Sequence, residues 1–141
     1  MTKGDKRDQP IDAVSERRED AALPRSSGSL VDKPWGHELI WAKTDRYVGK
    51  ILHIDKGHAL SLQYHNQKDE TVMVWSGKLL YEIDRGNGLE KIELGPGQRI
   101  HVSPKTIHRM TALEDTDVFE VSTPELDDVV RLEDRYGREG T

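Results

Sequence analysis

Nine short runs of Val, Ile, Leu, Trp and Tyr recur from Val31 onward, cut apart by Gly, Asp, Asn and Pro. They fall near residues 37–42, 47–55, 59–65, 70–76, 78–84, 89–94, 99–103, 107–113 and 117–123. Each is of strand length, and no long helical pattern interrupts them. Asp84-Arg85-Gly86-Asn87-Gly88 reads as a hairpin turn, Ser76-Gly77-Lys78 as a tight corner and Leu94-Gly95-Pro96-Gly97 as a third turn. Short strands at near-regular spacing with Gly and Pro turns predict an all-β sandwich or small barrel.

The 141 residues suffice for one domain with a sizeable core. Residues 1–30 differ from the rest, mixing Lys, Arg, Asp and Glu with few large apolar side chains. Within them Ile11 to Leu23 tolerates a short helix, and Leu23-Pro24-Arg25-Ser26-Ser27-Gly28-Ser29 reads as a linker. The expected organisation is a flexible or partner-packed arm over 1–30 and a folded domain over 31–141 with a short C-terminal extension. The absence of cysteine excludes disulfides, thiolate metal sites and cysteine nucleophiles. No apolar run is long enough to span a membrane. Met1-Thr2-Lys3-Gly4-Asp5 has no apolar stretch behind it, so the expected compartment is the cytoplasm. A net charge of −5 argues against nucleic-acid binding through bulk charge.

Chemistry concentrates between Gly57 and Glu70. Gln63 and His65 lie two apart on an expected strand, so their side chains leave the same face. Glu70 begins the next strand and can reach the same point across a hairpin; His108 lies on a later strand. Two imidazoles, an amide oxygen and a carboxylate suit Zn²⁺, Mn²⁺, Fe²⁺, Co²⁺ or Ni²⁺, with zinc the first choice. The plainer reading makes Gln63 a polar strand residue and His65 a surface histidine. His37, His53, His58 and His101 fit solvated or packing roles better; His53 and His101 reach a cavity only if the register slips by one residue.

The same stretch resembles the first motif of the cupin superfamily: Gly57, five residues, Gln63-Tyr64-His65, four residues, Glu70, six residues and Gly77. Gln63 takes the place of the first histidine. Gly97 to His108 resembles the second motif, with Ser103 and Lys105 in place of the usual proline and glycine. A closer resemblance is to the type II cupin domain of the mannose-6-phosphate isomerase family, found in bifunctional enzymes with mannose-1-phosphate guanylyltransferase activity. It rests on Val31-Asp32-Lys33-Pro34-Trp35-Gly36, on Leu60-Ser61-Leu62-Gln63-Tyr64-His65 and on Val129 to Arg138. Nothing resembles the nucleotidyltransferase domain. The family often continues with histidines where this chain has Asn66, Gln67 and Thr71.

The resemblance implies a cupin-type double-stranded β-helix, or jelly-roll barrel. It implies Gln63, His65, Glu70 and His108 as ligands of one divalent ion. The implied activity interconverts an aldose phosphate and a ketose phosphate, mannose 6-phosphate and fructose 6-phosphate foremost. It further implies a homodimer, with residues before Trp35 available to cross to the partner. The general base is open among Glu120, His53 and Lys50. Lys105, Arg109, Arg131, Arg135 and Arg138 are the cations available to a phosphate, although the C-terminal arginines also have acidic neighbours to pair with. Trp35, Trp41 and Trp75 suit core packing or a dimer contact. Two other functions fit such a site: a non-catalytic sugar or sugar-phosphate binder, and a non-haem iron oxygenase.

Overall fold

The structure, a computed structural model, describes residues 28–140. The expected arm therefore lies almost wholly outside the described residues. Eleven strands form two antiparallel sheets, and no helix occurs among the described residues, so none is present to cross a membrane. The strands are β1 (Ser29–Lys33), β2 (Gly36–Lys43), β3 (Val48–Ile54), β4 (Leu62–Tyr64), β5 (Glu70–Ser76), β6 (Leu79–Asp84), β7 (Leu89–Leu94), β8 (Arg99–Val102), β9 (His108–Ala112), β10 (Thr116–Ser122) and β11 (Val130–Glu133). One sheet has the order β1-β2-β3-β10-β5-β8 and the other β11-β4-β9-β6-β7. From β3 onward the chain changes sheet at every connection except the β6–β7 hairpin. That winding is the jelly-roll architecture.

Strict alternation builds the interior. On β3, Val48, Lys50, Leu52 and Ile54 turn inward; on β10, Thr116, Val118, Glu120 and Ser122 do. Leu52, Ile54, Val72, Val74, Leu79, Tyr81, Ile83, Val102, Met110 and Val118 meet between the sheets, with Trp35 joining from the β1–β2 turn. Each large aliphatic side chain sealed there contributes about 1.5–3 kcal/mol. Trp35 is thus a core residue, whereas Trp41 and Trp75 are exposed on the outside. Both fates were open from sequence.

The nine expected strands are present, with shifted ends, and two more appear. The run at 59–65 shortens to Leu62–Tyr64, with Ala59 making only an isolated bridge to Thr111. β1 hides in sequence beside a Gly/Ser stretch, and β11 hides in an acidic tail; each is held by pairing with one neighbour, β2 and β4 respectively. β4 and β5 lie in opposite sheets, so the link from His65 to Glu70 is a crossover, not the expected hairpin.

The corner at Gly77 is a crossing of the same kind and shows why glycine is required. Its φ is +94°, and a Cβ there would lie 2.4 Å from Asp115 O. Gly77→Ala is expected to cost about 3 kcal/mol, read as a lowered midpoint in urea unfolding; an unchanged midpoint would contradict it.

At the C-terminus Asp134 is buried, and Arg138 grips it with Nε to Oδ2 at 2.9 Å and Nη2 to Oδ1 at 3.0 Å. These hydrogen bonds outweigh burial and hold the Asp134 carboxyl below its ordinary value. A depressed carboxyl stabilises the fold above its unfolded pKa, near 3.9, and that contribution fades as pH falls through the folded value. Asp134→Asn is expected to lose about 2 kcal/mol at pH 7 and progressively less below pH 4. Denaturant unfolding at several pH values checks this, and a pH-independent difference would contradict it.

Candidate metal centre

Strand winding brings Gln63, His65, Glu70 and His108 to one end of the interior. Gln63 on β4 pairs in register with His108 on β9, His65 follows the end of β4, and Glu70 opens β5 from the facing sheet. Donor atoms of His65, Glu70 and His108 all lie within 4.8 Å of one another. Glu70 Oε1 is 3.7 Å from His65 Nε2, and Glu70 Oε2 is 3.5 Å from His108 Nε2. All three residues are buried.

Their outward-facing atoms are already engaged. His65 Nδ1 donates to Asp128 O at 2.6 Å, and His108 Nδ1 donates to Thr106 O at 2.8 Å. A carbonyl only accepts, so each Nδ1 carries a proton and each ring turns its Nε2 toward Glu70. Tyr81 stacks on the His108 ring at 6.1 Å and helps fix it. His108 Nε2 is sealed from solvent without a hydrogen bond. Two imidazole nitrogens and a carboxylate converging in a buried space fit a divalent cation. Gln63 lies beside them: its Nε2 is 3.5 Å from His65 Nε2, while Oε1 accepts from Ser61 Oγ at 2.5 Å. A half turn of the amide, which exchanges two atoms of nearly equal size, presents its oxygen to the same point.

Asp128 organises the approach to this centre. Beyond accepting from His65, its carboxylate receives the backbone N–H groups of Asn66, Gln67 and Lys68 at 3.0, 2.6 and 2.9 Å. Those three donors outweigh desolvation and hold its carboxyl below the ordinary value. The loop they pin carries Lys68 inward. Its buried Nζ stands 3.2 Å from Glu70 Oε1 and 3.1 Å from Glu120 Oε2. Burial disfavours the ammonium, but the two carboxylates more than compensate and raise its pKa. On Glu120 the balance reverses: burial and the Glu70 charge push its carboxyl up against the opposing pull of Lys68 and Lys50.

These groups line a pocket of about 600 Å³, counted out to its open mouth. Lys33, Lys50, Lys68, Arg131 and Arg138 contribute five cations to its wall, against Glu38, Glu70 and Glu120. Lys50 is buried and paired with Glu38 at 3.3 Å. Arg131 and Arg138 stand near enough that burial and the Arg138 charge lower the Arg131 pKa.

Of the candidate residues, Gln63, His65, Glu70, Glu120, Lys50, Arg131 and Arg138 line this pocket, and His108 stands behind it among the three clustered donors. Four do not. His53 faces the other side of β3, bonded to Asp117 at 2.7 Å and stacked on His37. Arg109 points outward to Glu82 and Glu133. Arg135 donates to Gly57 O at 2.8 Å. Lys105 is exposed; its backbone, at a φ of 67° that favours glycine, donates to His65 O at 2.6 Å. Lys33, Glu38, Lys68 and Asp128 were not anticipated. Lys68 sits two residues before Glu70, yet a lysine in a polar loop reads as solvated until the Asp128 anchor is seen.

Known proteins match both the sequence and the fold. The chain is 34% identical over 113 residues to the mannose-1-phosphate guanylyltransferase ManC of Salmonella typhimurium, covering 77% of this chain and 23% of that protein. It is 30% identical over 139 residues to the xanthan biosynthesis protein XanB of Xanthomonas campestris, covering 90% of this chain and 29% of that protein. The chain therefore spans about a quarter of the length of these relatives. KdgF from Halomonas sp. superposes with a TM-score of 0.63 at 26% identity, over 70% of this chain and 90% of that one. An RmlC-like cupin from Shewanella frigidimarina shares the fold, with a TM-score of 0.62 at 14% identity over 71% of this chain and 86% of that one. The family model for the mannose-6-phosphate isomerase C-terminal domain matches residues 24–134, and with the cupin fold and the clustered donors in place the chain belongs to that family.

Proposed function

We propose that this domain is a divalent-metal-dependent sugar-phosphate isomerase that interconverts mannose 6-phosphate and fructose 6-phosphate. The supporting observation is the His65–Glu70–His108 cluster beside a cation-rich pocket whose wall also carries the buried Lys68–Glu120 pair. The family's name supplies the substrate.

Isomerisation moves a proton between C2 and C1 and passes through an enediolate with negative charge on O1 and O2. Glu120 is the proton carrier. Its elevated carboxyl is nearer neutrality than an ordinary one, which favours both uptake and return of the proton. Lys68 holds Glu120 Oε2, so the carboxylate is fixed in direction and Oε1 takes the proton from carbon. Lys50, held by Glu38, adds a positive charge on the same wall. Arg131 and Lys33 on the pocket wall receive the phosphate, while Arg138, its fork held by Asp134, adds positive charge beside Arg131. Gln63, His65, Glu70 and His108 hold the ion, zinc being the first choice for this donor set, and when bound it stabilises the enediolate charge.

A coupled assay with mannose 6-phosphate and added Zn²⁺, Mn²⁺ or Co²⁺ tests the reading. Turnover that disappears on chelation and returns with metal is expected. Saturable binding of fructose 6-phosphate by fully metallated protein without conversion would contradict it and leave a sugar-phosphate-binding module.

A further inference from the structure

Among the described residues a second set of metal-type donors stands outside the barrel, on the face of β3 opposite the pocket. Strand register builds it. His37 on β2, His53 on β3 and Asp117 on β10 are direct cross-strand neighbours, and Ser76 on β5 continues the row. Leu52 and Ile54 turn inward, so His53 between them turns outward. Two turns then close around its ring. Asp55 follows the last residue of β3 and opens a turn in which His58 N donates to Asp55 O at 2.9 Å. Asp115 precedes the first residue of β10, whose Thr116 pairs with Ile54. Lys56 N donates to Asp115 Oδ1 at 2.8 Å and ties one turn to the other. His53, Asp55 and Asp115 thereby bring one donor atom each to within 4.8 Å of one another.

We propose that these three side chains bind a second divalent transition ion, Zn²⁺ first, with water completing its coordination. The direction of the ring is the first support. His53 Nδ1 faces Asp117 Oδ1 at 2.7 Å, and Asp117 Oδ2 accepts from Ser76 Oγ at 3.1 Å. A carboxylate only accepts, so Nδ1 carries a proton and the ring turns its Nε2 toward Asp55. A carboxylate behind an imidazole is the arrangement that orients metal-binding histidines. His37 stacks on the same ring at 5.1 Å and restricts its rotation.

Spacing is the second support. Nε2 stands 3.4 Å from Asp55 Oδ1. A charge-assisted hydrogen bond is shorter, about 2.7–2.9 Å. Two donors about 2.0–2.1 Å from one tetrahedral Zn²⁺ are about 3.3–3.4 Å apart. Asp115 has spent one acceptor position on Lys56 N, and a carboxylate has others to offer.

Charge is the third. Asp55, Asp115 and Asp117 set three carboxylates around one imidazole, more negative charge than a proton on that ring can answer. A dication relieves the excess. Imidazole with carboxylates selects Zn²⁺, Co²⁺ or Ni²⁺ over Ca²⁺ and Mg²⁺, which take oxygen alone. The His53 side chain is 30% exposed and that of Asp55 55%, so this ion exchanges more readily than one held in the interior. Bound there, it staples the end of β3 to the start of β10, the two strands that carry Lys50 and Glu120.

Calorimetric titration of the metal-free full chain with Zn²⁺ tests the proposal. Two equivalents are expected, the second weaker. His53→Gln and, separately, the double variant Asp55→Asn, Asp115→Asn are expected to lose only the second. Asparagine keeps an oxygen for Lys56 N, so an unchanged circular dichroism spectrum is expected. Asp117→Asn is expected to weaken the second equivalent about 10–100-fold, because it holds the ring and does not touch the ion. Glu70→Ala is expected to lose the first equivalent and keep the second, which reads the two sites apart. A single equivalent that disappears in Glu70→Ala overturns the proposal. A second equivalent untouched by His53→Gln and by the double variant lies elsewhere on the chain and overturns it as well. A single equivalent lost in His53→Gln and kept in Glu70→Ala upholds the outer site and removes the interior one.

Discussion

Glu70→Ala is expected to lower divalent-metal affinity by about 100-fold or more. Glu70 is the only anion among the proposed ligands; Gln63, His65 and His108 are neutral donors. Its removal also leaves the Lys68 ammonium paired with Glu120 alone, so a cation is repelled where it was attracted. Glu70 is itself held in the ionised form: desolvation opposes this, but the His108 and His65 rings and the Lys68 charge prevail and pull its carboxyl well down. Glu70→Gln preserves the side-chain volume and is expected to lose affinity in the same direction, which separates the charge from packing. Metal content after dialysis and calorimetric titration check both variants. Wild-type metal content in Glu70→Ala would contradict the ligand assignment.

Glu120→Gln is expected to leave metal binding within a few-fold of wild type while reducing kcat by about 10²–10⁴-fold. The amide keeps the shape of the carboxylate and can still meet Lys68, but it cannot accept a proton from carbon. If the loss falls on kcat with KM little changed, Glu120 acts on the reacting atoms and not on substrate capture. Retained kcat in a correctly metallated Glu120→Gln protein would contradict the proton-carrier assignment. Of the other base candidates, Lys50 is inside the pocket and His53 is outside it, so His53→Gln is not expected to change turnover.

Much of the architecture was legible in the sequence because alternation and turn residues are local signals. Val72 and Val74 against Met73 and Trp75 declare a strand with two faces, and Gly77 declares its sharp end. The shared face of Gln63 and His65 was legible for the same reason, by the period of two, whereas Glu70 and His108 joined them through the family resemblance. What remained hidden depended on partners far along the chain. β11 exists through its pairing with β4, and Lys68 is buried because Asp128, sixty residues later, gathers the loop that carries it. The alternation of His53 with Leu52 and Ile54 put it on the solvent side of β3, and the observed register contains no slip that would turn it inward. Arginine roles could not be sorted by type: Arg131 and Arg138 reach the pocket while Arg109 and Arg135 are committed to Glu82 and to Gly57 O, distinctions set by side-chain direction alone.

The most direct test is an anomalous difference map from crystals grown with Zn²⁺, collected on both sides of the zinc absorption edge. One peak is expected about 2.0–2.2 Å from His65 Nε2, His108 Nε2 and a Glu70 carboxylate oxygen, with the Gln63 amide oxygen turned toward it. A map with no peak among these side chains, or with zinc bound only at His53, Asp55 and Asp115 on the outer surface, would contradict it.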